Sequence, residues 1–358
     1  MDFVYRFPVV KGLQAGRAYF IGMVPLRMIS RLFPSDEEYV PPEYRAQRKL
    51  NAARIPVISK YILQNRQDYV FSALAASIDG TFKFIPSEIA SDVGVLEVSM
   101  DARFQINDGQ HRKAAIIEAL AEDETLADET ISVVFFEDKG LVRSQQIFTD
   151  LNKHAVKTSN SISELYDSRD DLAVVTRKVV SSVAFINEFT DKEKDILGKF
   201  SSKLFTLNMF YNANRKIIQR LEINRVCERF LIDFWNCVAE NIVQWNELSN
   251  KEISKVDLRE NYIVTQAVVI QALGRVGNYF YLHRNANMHD SLQKLRDIDW
   301  KRTAHQWHLR TIRANGRMIN SETAIILTAN VIKQKIGIGL DEDELCKEKK
   351  FLEDYGNN

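Results

Sequence analysis

Cysteine is scarce in this chain: three residues in 358, Cys227, Cys237 and Cys346, with no C-x-x-C pair and no even set. This argues against a disulfide scaffold or a structural zinc site and suits free, buried thiols in a reducing cytoplasm. Net charge is missing too, with 48 Lys and Arg against 48 Asp and Glu. No global field marks a nucleic-acid partner, so a basic surface must come from segregation of charge along the chain. No apolar run is long enough to span a bilayer, and the N-terminus has no basic region followed by an apolar core. Cytoplasm and no membrane partner are the default expectation. G-x-S-x-G, H-E-x-x-H and Walker A strings are absent, and Lys11 to Arg17 is too poor in glycine for a P-loop. Any phosphate chemistry needs another motif. No internal repeat or low-complexity tract occurs.

What is present suits a globular protein, 45% hydrophobic and 27% charged, long enough for two domains. Short strands and turns are expected first, over Val4 to Val10 and Arg17 to Val24, separated by Gly12 and Gly16. A basic helix follows over Tyr44 to Gln64, interrupted at Pro56. Tyr69 to Ile78, Phe82 to Ile85 and Val95 to Val98 read as strands, with Asp79-Gly80 as a turn. Ile131 to Phe136 is the most strand-like run and reads as an interior strand. Leu141 to Asn152 reads as a helix. From Ile162 onward helix-compatible stretches dominate: Ser163 to Glu188, Lys192 to Phe200, Asn214 to Asn246, Lys255 to Leu282 and Ser321 to Lys335. The charged tail from Asp341 to Asn358 is expected to fray.

One stretch organises the rest. Phe104 to Asn107 alternates as a strand, and Lys113 to Leu120 has helical spacing with Ala115, Ile116, Ala119 and Leu120 on one side. Between them stand Asp108, Gly109, Gln110, His111 and Arg112. A strand that breaks at Asp-Gly and restarts as a helix leaves free N–H groups at the helix start, which suit an anion. Gly109 permits the tight turn, and Arg112 can fork onto phosphate. The competing reading is structural, with Asp108 capping the helix and Arg112 paired to it.

The string Asp108-Gly109-Gln110-His111-Arg112 is the signature of DGQHR-domain proteins, more distantly similar to the nucleotide-binding core of ParB-type partition proteins. The helix from Gln145 through Ile147-Phe148-Thr149-Asp150-Leu151-Asn152 to Lys153-His154-Ala155, then Lys157-Thr158-Ser159, matches the second part of that signature. With its length and helical C-terminal half, the chain resembles the DndB family of DNA phosphorothioation systems. The resemblance implies an α/β (α+β) ParB-like DGQHR core over residues 1–160 and a mainly α-helical domain over 161–358 that binds DNA or a partner. It further implies a DNA-binding regulator, a transcriptional repressor of the modification gene cluster rather than the sulfur-transfer catalyst. The alternative is a nucleoside triphosphatase using ATP or GTP with Mg²⁺. Asp108 would then hold the metal or its water, and Gln110 and His111 would position the nucleophile. Gly109, Arg112, Asn152, Lys153 and Lys157 would hold phosphate. A scaffold that docks other phosphorothioation proteins, or a homo-oligomer, is also compatible with the sequence.

Two basic stretches could face double-stranded DNA. Trp300 to Arg317 holds Lys301, Arg302, Arg310, Arg313 and Arg317 without an acid, and base reading is expected from a few residues among Arg310, Arg313, Asn315 and Arg317. Lys203 to Arg229 contributes Arg215, Lys216 and Arg220. For both, the bland reading is an amphipathic helix with tryptophans or aliphatics in the core and a solvated basic face. His305 and His308 lack a third ligand and make no metal site.

Overall fold

The computed structural model describes residues 3–34, 50–138, 140–153, 158–219 and 221–355, without the side chains of 141–143 and 152–153. The fold is mixed α/β, a seven-stranded sheet followed by many helices. The chain divides into two compact units, Met1–Val156 and Lys157–Asn358.

The first unit is built on strands β1 (Val4–Gln14), β2 (Arg17–Pro25), β3 (Leu74–Asp79), β4 (Phe82–Pro86), β5 (Val93–Ser99), β6 (Arg103–Asp108) and β7 (Thr130–Glu137), in the order β4-β5-β1-β2-β7-β3-β6. All pairings are antiparallel except β3 with β7. Residues 131–136 therefore lie inside the sheet, between β2 and β3, as their apolar run requires. The alternation of β1 buries Phe7 and Val9. Phe7, Phe104 and Phe135 meet with ring centroids 5.3–6.2 Å apart, and Tyr5 and Phe33 join Phe104. Helices α1 (Leu26–Leu32), α2 (Ile55–Gln64) and α3 (Gln110–Glu122) cover this core through Ile29, Ile62, Ala115, Ile116 and Ala119. Pro56 opens α2 instead of interrupting it, because a first-turn proline forfeits no hydrogen bond. The earlier part of the expected basic helix, residues 44–49, lies outside the described residues. Helix α4 spans Leu141–Lys153 and packs against β6.

The second unit is helical. Helix α5 (Asn160–Tyr166), α6 (Asp171–Ser182) and α7 (Ala184–Phe189) replace one expected long helix. The break is chemical: Asp170 caps α6 by accepting from the N–H groups of Leu172 and Ala173. Residues 192–200 turn instead of coiling, with Asp191 Oδ1 accepting from the N–H groups of Glu193 and Lys194 at 2.9 Å. Helices α8 (Leu207–Ile218), α9 (Arg225–Asn241), α10 (Val243–Ser249), α11 (Lys255–Asn261), α12 (Ala267–Leu282), α13 (Met288–Gln293), α14 (Glu322–Ile336) and α15 (Glu342–Tyr355) follow. Gly274 and Gly277 let α12 lie directly on α8. A Cβ on Gly274 would stand 2.6 Å from the Ala213 carbonyl oxygen.

The described part of the C-terminal tail, to Tyr355, is a packed helix, against the expectation of fraying. Glu344 of α15 is fully buried, bonded to Lys333 Nζ at 2.7 Å and to Arg275 Nη2 at 3.0 Å. A buried charge of this kind persists only when paired.

Candidate functional site

Strand β6 is an edge strand whose last residue is Asp108. The pairing with β3 slips between Ala75, opposite Asp108, and Ala76, opposite Ile106, so Asn107 is the extra residue of a bulge. Asn107 is fully buried and accepts from Ser77 Oγ at 2.8 Å, whereas its Nδ2 has no partner among the described residues. The bulge re-aims Asp108 toward the start of α3. Gly109 stands before that helix at φ 101°, a conformation that suits glycine, and among the described residues no side chain caps the helix. A Cβ there would lie 2.4 Å from Leu74 Cδ2 and 3.1 Å from Arg112 Nη2.

Arg112 uses its fork internally. Nη2 donates to Asp108 Oδ2 at 2.6 Å, while Nη1 donates to the carbonyls of Ser72 at 2.7 Å and Ala73 at 3.0 Å, and to Ser72 Oγ. The guanidinium thus ties the start of α3 to the chain entering β3, leaving Asp108 with a half-exposed carboxylate. Of the two sequence readings for Arg112, this geometry is the pairing one. His111 Nε2 accepts from the Asn51 N–H at 3.0 Å, which requires the tautomer protonated on Nδ1. Lys113 Nζ donates to the Pro34 carbonyl at 3.1 Å. Gln110 is half-buried in the first turn of α3. Asn152 and Lys153 end α4 with side chains outside the described ones, and Lys157 is outside the described residues altogether.

The expected DNA residues divide sharply. Residues 300–317 form no long helix; they fold as turns around a short 3₁₀ segment, His305–Trp307. Trp300 and Trp307 are buried and stacked, centroids 5.4 Å apart and planes 10° apart. Trp307 Nε1 donates to the Asp299 carbonyl at 2.8 Å, a bond that holds the segment as a loop. Arg302 donates to the Arg259 carbonyl at 2.9 Å, and burial lowers its pKa. Arg310 pairs with Glu348 at 2.7 Å and lies over Phe351. Lys301, Arg313, Asn315 and Arg317 are exposed. The last three sit on one tight turn, closed by the Arg313 N–H on the Arg317 carbonyl and the Gly316 N–H on the Arg313 carbonyl, both at 2.8 Å.

The other stretch is split between α8 and α9. Lys216 is bound to Glu322 at 2.7 Å, Arg220 lies outside the described residues, and Arg215 lines a cavity among acids.

That cavity was not evident in the sequence. It measures about 390 Å³ and is lined by Asn160, Ser163, Glu164, Asp167, Asp170, Asn208, Tyr211, Asn212 and Arg215. In the sequence a helix-compatible stretch runs from Ser163 to Glu188 straight through this region; the break lies before α6, where Asp170 accepts from the Leu172 and Ala173 N–H groups. In the first unit, a second cavity of about 450 Å³ borders Arg66, Tyr69 and Glu129. There Arg66 bonds Glu129 at 2.8 Å and Asp123 at 3.0 Å. Among the described residues no group of three or more His, Cys, Asp or Glu could hold a metal ion, and no helix is long and apolar enough to cross a membrane. All three cysteines are free; Cys346, unlike the other two, is exposed.

No curated protein matches the chain, and no solved structure does. The DndB family profile, described as DNA-sulfur modification-associated, matches residues 7–339, which include both the Asp108 turn and the Arg313 turn. The chain belongs to the DndB family of DNA-sulfur modification-associated proteins.

Proposed function

We propose that this protein is a DNA-binding regulatory component of a phosphorothioation system, a transcriptional repressor of the modification gene cluster. In this reading residues 1–160 are a ParB-like DGQHR core and residues 161–358 meet DNA. One observation supports it most: the buried Trp300–Trp307 stack fixes an exposed, acid-free turn that presents Arg313, Asn315 and Arg317 together. Two arginines flanking an amide on a rigid turn can neutralise phosphates and reach base edges. Arg302, Arg310 and Lys216 are committed to internal partners, so their part is to hold the fold that carries the turn. Electrophoretic shifts with promoter and random duplexes test this. Arg313→Ala with Arg317→Ala should lower affinity and reduce the slope of log affinity against log salt by about 2. No preference for promoter over random duplex at physiological salt counts against repression.

A second reading, nucleoside triphosphate hydrolysis, is supported by the half-exposed Asp108 carboxylate beside an uncapped helix start. Asp108 would be the protein's ligand to Mg²⁺, which is commonly held by one or two carboxylates and the substrate phosphates. Arg112 positions that carboxylate, Gln110 and His111 flank the nucleophile, and Asn152, Lys153 and Lys157 complete the phosphate contacts. Phosphate release from ATP or GTP that disappears in Asp108→Ala supports it; release unaffected by that change removes the loop from catalysis.

A further inference from the structure

The cavity between α5, α6 and α8 has no part in either reading. Its chemistry is unbalanced: Glu164, Asp167 and Asp170 line it against one cation, Arg215. Glu164 is more than nine-tenths buried. Its Oε1 accepts from Asn208 Nδ2 at 2.5 Å, but its Oε2 is buried without a hydrogen-bond partner among the described residues. A carboxylate oxygen left in that condition is costly unless something supplies a donor. The neighbours do not. Tyr211 gives its hydroxyl to Asp170 Oδ2 at 2.6 Å, and Arg215 Nη2 is turned to Asn212 Oδ1 at 2.9 Å. Asp195, on the following loop, adds a further negative charge while capping α5. Asn160, Asn208 and Asn212 ring the space with amides able to accept from additional N–H groups.

We propose that this cavity binds a small aliphatic polyamine, one ammonium lodging against Glu164 and the other amines reaching Asp167, Asp170 and the surrounding amides. An ammonium provides three donors and the missing charge, and about 390 Å³ holds a short flexible chain. A metal ion fits worse, since no three-ligand group exists among the described residues. Burial, reinforced by Asp195 and Asp170 and opposed by Asn208 and Arg215, pushes the Glu164 carboxyl up to about 7. Polyamine binding must then draw off a proton near neutrality, and affinity should rise with pH.

The test is calorimetric titration of the DNA-free full chain with putrescine and with spermidine, beside MgCl₂ and ionic-strength-matched NaCl. Saturable binding is expected at pH 8. It should weaken about tenfold at pH 6, where about a tenth of Glu164 stays ionised. Glu164→Gln, which keeps the Asn208 contact, should lose about tenfold or more and abolish the pH dependence. If Glu164→Gln fails to fold, the pH series on the unaltered chain decides. No saturable binding overturns the proposal. So does equal binding to Glu164→Gln, equal binding at both pH values, or a response that MgCl₂ reproduces.

Discussion

Replacing Arg112 asks whether the family's signature arginine is a brace or a free anion receptor. Its side chain is 17% exposed, but Ser72 is exposed and Ala73 half-buried, so water can replace part of what the guanidinium gives their acceptors. Truncation to alanine strands the Ser72 and Ala73 carbonyls, at about 1 kcal/mol each after partial rescue by solvent. The ion pair adds about 1 kcal/mol, a reduced figure because the Asp108 carboxylate is 40% exposed. Arg112→Ala should therefore destabilise the first unit by about 3 kcal/mol, and Asp108→Ala by about 1 kcal/mol. Because they share a bond, the double variant should fall short of the sum by about 1 kcal/mol. Hydrogen exchange of the β3 and α3 amides is the appropriate assay, since it reports this unit locally. All four tryptophans lie in the other unit, at 235, 245, 300 and 307, so intrinsic fluorescence would follow the wrong part of the chain. Additivity within about 0.5 kcal/mol, or an Arg112→Ala protein of full stability that no longer binds nucleotide, would refute the brace.

Other consequences follow from equally local geometry. Gly109→Ala must hold φ near 101° and drive its methyl against Leu74; a loss of about 1–3 kcal/mol is expected in denaturant titration. Trp307→Ala opens a cavity beside Trp300 and should cost about 3–5 kcal/mol, with weaker DNA binding than Arg313→Ala alone because the turn loses its anchor. Glu164 gives a pH signature. Its folded pKa, about 7, lies above the ordinary 4.5, so the folded state holds more protons between those values, and stability falls as pH rises through that window. The full loss is at most about 3 kcal/mol, complete above pH 8, and Glu164→Gln should flatten it in thermal melts taken from pH 4.5 to 8.

The first unit was more legible than the second because strands announce themselves locally. Alternation in residues 4–10 and 17–24, and the apolar run at 131–136, each state a face and a depth without knowing their neighbours. The turn at Asp108 was legible as well, since Asp-Gly between a strand and a helical spacing admits few other conformations. The bulge at Asn107 was not: it exists only in the register of β6 against β3. In the helical half the periodicity was real, but breaks at Asp167 to Asp170 and at Asp191 depended on acids choosing backbone N–H groups over solvent. The Trp300 to Arg317 stretch carried the composition of a basic helix and became a loop, which stacks the two indoles 5.4 Å apart where a helix would set them about 10 Å apart along its axis.

By itself, the sequence determined the strands of the first unit, the Asp108–Arg112 turn and the family. Tertiary structure alone decided which cations are available, because a charged side chain is free or committed according to what packs beside it. Lys216, Arg302 and Arg310 found Glu322, a carbonyl and Glu348 from distant parts of the chain, while Arg313 and Arg317 stayed exposed. The same long-range packing put Glu164, from a stretch that reads as ordinary helix, into a buried pocket with an oxygen still to satisfy.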